Sequence, residues 1–311
     1  MADPGRRHAA NAPGLWFVDT TCIDCDASAQ CAPWMFDHVD DQAVVVRQPA
    51  TADEERAAAR ALLACPSGSI GTTGALPVLH DLYPHHLGDT AAGSRVHYCG
   101  YNASSSFGAN AYFVRRADGN LLVDAPRWVR PLARAFEEAG GLAHVLLTHR
   151  DDVADAQRYA AHFGARVWIH DADRDAAPYA TDILVGRDPA PLAPGVLAVP
   201  VAGHTRGSVA YIVDDEGAVL GRFALPQPDA GSPVGVRRRG VVLVDGAGGV
   251  AGPPRGAPVR VGAAGPRRPP PRRWRDDARP ARRPRRAHAP GAARRGRMVV
   301  SSGTARRARR R

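Results

Sequence analysis

One short stretch, residues 143–155, constrains the fold of this chain more than any other. Residues 143–147 are mostly apolar and predict a short buried strand that ends at Thr148-His149. A helical pattern resumes a few residues later and continues to residue 162. Because α/β proteins commonly build sites where buried strands end, we expect a functional site in the intervening turn. The turn is rich in side chains that bind metals or move protons: His149, Asp151, Asp152 and Asp155.

The end of the chain has a composition that cannot bury a core. After Arg222 there are 23 arginines against four acidic residues, a balance of +19, whereas the first 222 residues hold 18 arginines and 27 acids, a balance of −9. Residues 223–311 are largely arginine, proline and glycine without hydrophobic period, which predicts a disordered basic tail. Such charge is typical of nucleic-acid binding. We expect no nucleic-acid partner, because Trp274 is the tail's single interleaved aromatic side chain of the kind that stacks on bases.

The start of the chain shows no targeting segment. Residues 1–12 lack an apolar core, and no apolar run is long enough to span a bilayer. We therefore expect a cytoplasmic protein that does not enter a membrane. In that reducing setting, clustered cysteines bind metals more often than they form disulfides.

Four of the five cysteines fall within the first 70 residues of the chain. A helix is predicted from about residue 52 to residue 64, and Thr51 with Glu54 forms a capping box at its start. The helix returns the last of these cysteines toward the other three, and Pro66 ends it. The four cysteines are Cys22, Cys25, Cys31 and Cys65.

Strand and turn patterns divide the chain into five segments. Residues 1–14 are predicted to be disordered, 15–72 to form a small domain, 73–93 to be a linker, 94–222 to form a second domain, and 223–311 to be the tail. In the second domain, two strand patterns flank a hairpin turn at residues 117–120. Two later strand patterns flank a G-H-T-R-G-S loop that carries His204.

The first domain resembles a single-cluster bacterial ferredoxin. The resemblance rests on F-V-D-T-T-C-I-D-C at its start and A-C-P-S-G-S-I at its end. That family expects a third cysteine where this chain has Ser28, and Cys31 comes three residues later. The resemblance implies an iron–sulfur cluster on Cys22, Cys25, Cys31 and Cys65, with Cys31 reaching in from its shifted position. Two alternatives remain open: buried thiols without a stable cluster, and a tetrahedral zinc ion on the four thiolates.

The second domain resembles the metallo-β-lactamase fold of glyoxalase II-like hydrolases. The opening hairpin, the strand that ends in T-H and the later G-H-T-x-G-S carry this resemblance. Its pairing with a ferredoxin resembles a family of fusion proteins, with signatures at residues 99–110 and 148–155. The predicted fold class is therefore α+β. It comprises a small ferredoxin-like domain, an incomplete αββα metallo-β-lactamase sandwich and a disordered basic tail.

The resemblance also implies a metal site, because the fold's first motif is H-x-H-x-D-H. His149 matches its first histidine, but Asp151 stands at the second, and strict spacing then reaches Val153 and Ala154. The implied metal ligands are His149, Asp151, Asp155 and His204, and Asp152 is the implied catalytic carboxylate. Zinc or iron suits such donors, and a metal-bound hydroxide would attack an unidentified small-molecule substrate.

Two further interpretations remain open. In the first, His149 and His204 are relics in a fold that no longer catalyses. In the second, the protein acts in electron transfer or redox sensing through its ferredoxin-like part, with a redox partner, and the second domain is a scaffold. Asp124, His97 and His170 are interpreted as surface or structural residues.

The expected end of the second domain is missing after Leu220. The resemblance implies a glycine-aspartate that bridges two metals and a later P-G-H that supplies the last histidine, and neither follows Leu220 in the chain. With GC-rich codons, residues 240–246 and 259–267 back-translate in the next frame to W-Y-S-W-T-E and F-E-W-V-L-P-G-H-G. Two matches in one frame favour a frameshift near residues 215–236, which would leave the hydrolase impaired.

The frameshift hypothesis predicts the DNA sequence of the locus. Sequencing codons 210–270 from fresh genomic template should show a frame that continues into W-Y-S-W and P-G-H. A locus that encodes the basic tail in the same frame as His204 would contradict the hypothesis.

Overall fold

Two β-sheets organise most of the chain in the computed structural model, which describes residues 2–90, 92–214, 218–221, 240–244 and 250–251. The predicted frameshift region, residues 215–236, lies outside the described residues except for 218–221. The same holds for the predicted basic tail, of which only two short strands are described. Among the described residues, no helix has the length and apolar character needed to cross a membrane.

The N-terminal part is a small α+β unit. Two strand pairs, β1 with β4 and β2 with β3, are both antiparallel. Thr51 accepts a hydrogen bond from the Glu54 amide at 3.3 Å and caps the second helix, which confirms the predicted helix start. The alanine-rich face of this helix packs closely on a core that includes Trp16, Met35 and Phe36. The elements are β1 (Trp16–Val18), α1 (Ala27–Cys31), β2 (Phe36–Val39), β3 (Gln42–Val45), α2 (Ala52–Ala64) and β4 (Ile70–Thr72).

Residues 2–14 are ordered, and the prediction of a disordered start was wrong. The guanidinium of Arg7 donates to the backbone carbonyls of Ala12 and Gly14, both at 3.0 Å. The side chain of Asn11 accepts from the amides of Val18 at 3.1 Å and Val45 at 2.9 Å. Arg7 thus closes the segment on itself, and Asn11 attaches it to strands β1 and β3. Hydrophobic periodicity in the sequence does not reveal such polar contacts.

A seven-stranded sheet follows, in the order β11-β10-β9-β8-β7-β6-β5. Strands β5 to β8 pair antiparallel, and β8 to β11 pair parallel. Helices α3 and α4 connect the parallel strands, and Phe136 of α3 stacks on Phe113 with ring centroids 4.5 Å apart. The elements are β5 (His85–Asp89), β6 (Arg95–Tyr98), β7 (Tyr112–Arg115), β8 (Leu121–Val123), α3 (Arg130–Glu138), β9 (His144–Leu146), α4 (Ala156–Phe163), β10 (Arg166–His170) and β11 (Asp182–Leu184).

Strand β5 lies within residues 73–93, so the prediction of a linker there was wrong for its second half. Within this segment, His85 and His86 pair with Tyr98 and His97 at the edge of the sheet. Tyr83, just before the strand, is buried in the core of this part of the chain. The glycines and prolines around this short strand resemble a linker in sequence, and only the neighbouring strand β6 gives it backbone partners.

A second, antiparallel sheet has the order β12-β13-β14-β15-β16-β17. Its buried residues Val196, Val209 and Tyr211 belong to the same hydrophobic cluster as strands β7 to β9 of the first sheet. The described chain is therefore a mixture of helices and strands, as predicted for the α+β class. The elements are β12 (Ala190–Ala193), β13 (Val196–Pro200), β14 (Val209–Val213), β15 (Ala218–Gly221), β16 (Gly240–Val244) and β17 (Val250–Ala251).

The N-terminal part is hydrogen-bonded to the first sheet. Arg127, which follows β8, donates to the carbonyls of Leu63 at 3.0 Å and Cys65 at 3.3 Å. The hydroxyl of Tyr83 donates to the carbonyl of Arg60 at 3.0 Å. The carbonyls of Leu63 and Cys65 lie at the carboxyl end of α2, where unpaired acceptors remain, and Arg60 lies in the turn before it. The two parts are thus joined through the end of one helix.

The environment of His85, near Arg60 of the N-terminal part, predicts a pH dependence of stability. Burial, together with the nearby charge of Arg60, lowers the pKa of His85 to about 4. The unfolded ring binds a proton near pH 6.5 and the folded ring does not, so the free energy of unfolding should fall as pH drops from about 6.5 toward 4. Replacing His85→Gln should remove this component, which amounts to less than about 1 kcal/mol because the half-exposed ring is screened by solvent.

Urea denaturation of the parent and the His85→Gln variant at pH 7 and pH 5 measures the effect. His80→Gln, at an exposed site, is the matched control. Equal losses of stability in the parent and in His85→Gln between the two pH values would contradict the prediction.

Candidate metal centre

Three adjacent parallel strands deliver polar residues to one edge of the first sheet. Asp124 follows β8, His149 follows β9, and Asp173 follows β10. All three side chains are at least 95% buried. Because carboxyl ends of parallel strands share one edge, short extensions of the three strands bring these residues together.

A chain of hydrogen bonds sets the orientation of His149. Asp124 accepts from the Thr148 amide at 2.8 Å, and its other oxygen accepts from the Thr148 hydroxyl at 2.8 Å. The hydroxyl oxygen lies 2.9 Å from Nδ1 of His149. Since Thr148 gives its only proton to Asp124, it accepts the Nδ1 proton, and the Nε2 lone pair of His149 faces the turn that follows.

His204 approaches from the loop between β13 and β14 of the second sheet. The imidazoles of His149 and His204 lie edge to face, with ring centroids 4.8 Å apart. One oxygen of Asp151 lies 3.1 Å from Nε2 of His204 and 3.7 Å from Nε2 of His149. Two imidazole nitrogens and one carboxylate oxygen thus converge on one point.

This convergence fits a single metal ion. The ligand atoms of His149, Asp151 and His204 lie within 4.8 Å of one another, and no other such group of His, Cys, Asp or Glu occurs in the described part of the chain. Catalytic zinc sites commonly use three protein ligands and leave one position open. His204 is exposed and Asp151 is half-buried, so the open side faces solvent.

The two remaining predicted residues take different places. Asp152 is buried, and its carboxylate lies 3.6 Å from Nε2 of His149, beside the cluster. Asp155, predicted as a metal ligand, instead accepts a hydrogen bond from the Trp128 amide at 2.6 Å and lies outside the converging group. The extra residues that follow Asp152 carry Asp155 to the start of α4, where it holds the segment that leads into α3.

Asp173 positions the loop that carries His204, and sequence reasoning missed it. Its carboxylate accepts from the Arg150 amide at 3.1 Å and from the Thr205 hydroxyl at 2.5 Å. Thr205 and Ser208 then hydrogen-bond to each other at 3.0 Å and close the loop. The available signal was an acid just after a β-strand pattern, the same signal that identified Asp151 and Asp152.

The cysteines of the N-terminal part surround a separate cavity. Cys22, Cys25 and Cys65 line it together with Ser28, whereas Cys31 is not part of its lining. The Sγ of Cys31 lies 3.4 Å from the Tyr83 hydroxyl, in contact with the first sheet's core. Burial raises the pKa of Cys31 to about 11. The structure therefore brings together three of the four predicted cysteine ligands. The fifth cysteine, Cys99, is buried in the core, and burial raises its pKa well above the usual range.

Comparison with known proteins identifies relatives of both parts. Residues 18–72 match the family described as the 4Fe-4S single cluster domain of Ferredoxin I. The hydroxyacylglutathione hydrolase of Acidiphilium cryptum is 36% identical over 123 residues, which make up 36% of this chain and 47% of that protein. The chain thus combines a part similar to a ferredoxin domain with a part similar to a hydroxyacylglutathione hydrolase. It spans about half the length of this curated relative.

Solved metallo-β-lactamases are also similar to this chain. A variant of the Cronobacter sakazakii enzyme is 17% identical, and the match covers 46% of this chain and 63% of that one with a TM-score of 0.34. The enzyme from Elizabethkingia meningoseptica is 18% identical, with coverages of 34% and 49% and a TM-score of 0.28.

The role of Asp173 in holding the loop that carries His204 is testable. Replacing Asp173→Ala should weaken zinc binding by about 10–100-fold, the usual effect of losing an outer partner of a ligand. The reason is that the loop carrying His204 loses the carboxylate that holds Thr205. Competition with a chromophoric chelator measures the zinc affinity.

Two further variants make the test specific. Asp171→Ala, in the same segment but exposed, is the control and should leave the affinity unchanged. Thr205→Val removes only the hydroxyl donor and guards against simple unfolding of Asp173→Ala. Unchanged zinc affinity in both Asp173→Ala and Thr205→Val would refute the assignment.

Proposed function

We propose that the protein is a metal-dependent hydrolase whose centre is formed by His149, Asp151 and His204. The observation that carries this proposal is the convergence of two imidazole nitrogens and one carboxylate oxygen within 4.8 Å. These donors suit zinc, iron or manganese. When bound, such an ion polarises the scissile group and lowers the pKa of a coordinated water.

The residues around this centre have separable roles. His149 is held in one tautomer through Thr148 and Asp124, so its Nε2 is available as a ligand. His204 comes from an exposed loop and can adjust its position when a ligand binds. Asp152, buried 3.6 Å from His149 Nε2, is placed to accept a proton from a water molecule at the centre. The centre is thus rigid on the side of β9 and open on the side of the loop.

The proposed substrate is a small acyl ester or thioester. The relative from Acidiphilium cryptum is named for hydrolysis of hydroxyacylglutathione, in which an acyl group is carried by the glutathione thiol. Attack of water on such a carbonyl needs one activated water and no large binding groove. The exposed side of the site, next to His204, admits a substrate of this kind.

Thioester hydrolysis by the full-length chain tests the proposal. The purified protein is loaded with Zn²⁺ or Fe²⁺ and given lactoylglutathione, and thiol release is followed with a thiol reagent. His204→Ala and Asp151→Ala should each lower the rate at least about 100-fold, because they remove metal ligands rather than outer partners. His162→Ala is the matched control, because this exposed histidine of α4 pairs with Glu137 of α3 on the protein surface. A rate that is unaffected by His204→Ala and by chelators would refute the proposal.

A second candidate function is electron transfer or redox sensing through the ferredoxin-like part. The observation in its favour is that Cys22, Cys25 and Cys65 line one cavity. The metallo-β-lactamase-like part would then act as a scaffold, and a redox partner would meet the ferredoxin-like part. A protein that undergoes reversible bleaching with dithionite but shows no metal-dependent hydrolysis would favour this function. Either function suits a reducing compartment such as the cytoplasm, where thiolate ligands persist.

A further inference from the structure

We propose that the ferredoxin-like part holds an iron–sulfur cluster on three thiolates only, those of Cys22, Cys25 and Cys65. The fourth corner of the cluster faces Ser28, and Cys31 is not a ligand. The cavity fits a cluster with three cysteine ligands and does not fit one with four. This inference is independent of the hydrolase proposal, because its test uses no catalytic activity.

The lining of the cavity supports three ligands. Cys22 and Cys25 enter from the loop before α1, and Cys65 enters from the end of α2. Ser28 lies in the first turn of α1 and is 6% exposed, so its side chain occupies a buried position on the cavity wall. Each thiol comes from a different point of the wall, as a compact inorganic cluster requires.

Hydrogen-bond donors already point at the sulfurs of Cys22 and Cys65. The Sγ of Cys22 accepts from the amides of Ala43 at 3.4 Å and Asp24 at 3.5 Å. The Sγ of Cys65 lies 3.4 Å from the hydroxyl of Ser69, whose own oxygen accepts from Ser67. Ser69 therefore has its proton available for Cys65. Donors of this kind stabilise thiolates and tune the reduction potential of a cluster.

Cys31 is occupied elsewhere. It lies one helical turn beyond Ser28, and its Sγ is 3.4 Å from the Tyr83 hydroxyl. Tyr83 donates its only proton to the carbonyl of Arg60 at 3.0 Å, so Cys31 must donate its own proton to Tyr83. A cluster ligand must instead be a thiolate. To reach the cavity, Cys31 would have to break a contact that joins the two parts of the chain.

The chemistry of Ser28 determines the type of cluster. A neutral hydroxyl is a poor ligand for iron compared with a thiolate, so the corner that faces Ser28 lacks a strong protein donor. A three-iron cluster has no iron at one corner of the cube and needs only three thiolates. We therefore assign the cavity to a [3Fe–4S] cluster.

Iron and acid-labile sulfide analysis of the full-length chain, purified without oxygen, tests the assignment. The parent should contain about three irons per cluster, and its oxidised form should be paramagnetic, because three ferric ions have an odd number of electrons. Ser28→Cys should raise the content to about four irons and remove the signal of the oxidised form by electron paramagnetic resonance. Cys31→Ser is the matched control and should leave both the iron content and the signal unchanged.

Three results would overturn the assignment. Loss of the cluster in Cys31→Ser would make Cys31 a ligand. A four-iron cluster in the parent that is lost in Ser28→Ala would make the serine oxygen a ligand. Absence of any cluster from both the parent and Ser28→Cys, with correctly folded protein, would show that the cavity does not hold one.

Discussion

The contact between Asp124 and Thr148 is the interaction on which the candidate metal centre depends. One buried carboxylate accepts both the amide and the hydroxyl of Thr148, and thereby fixes the end of β9 beside the end of β8. A buried carboxylate is stable only when such donors compensate for the loss of water. The same Thr148 hydroxyl sets the tautomer of His149. One residue pair thus determines both the position of the strand end and the chemical state of the first histidine.

The second sheet completes the centre through backbone contacts at the same place. The Val209 amide donates to the Thr148 carbonyl at 2.8 Å, and the Tyr211 hydroxyl donates to the Leu147 carbonyl at 2.8 Å. Both acceptors lie beside His149. The loop that carries His204 therefore ends at a fixed point, Val209. Asp173 also holds this loop through its hydrogen bond with Thr205. His204 depends on these supports, because the histidine itself is exposed.

The ferredoxin-like part is attached so that its cysteine cavity lies against the other part. Gly108, with a positive φ of 76°, lies so close to Cys25 that a Cβ at this position would come within 2.6 Å of the cysteine's Cβ. Arg127 donates to the carbonyl of Cys65 and is covalently next to Trp128, whose amide binds Asp155. The short run of residues after β8 therefore joins the cysteine cavity to the start of α4.

The sequence by itself determined the strand that leads to His149, the capped helix before Cys65, and the resemblances of the two parts to known families. Each of these is encoded locally, in periodicity, capping or motif. Tertiary structure alone decided which residues converge. It separated Asp155 from the metal centre, turned Cys31 toward Tyr83, left Ser28 on the cavity wall and brought in Asp173. It also ordered residues 2–14 and recruited β5 as an edge strand. The physical reason is that spacing along a chain does not specify the partner that satisfies each buried polar group, and these partners come from elements distant in sequence.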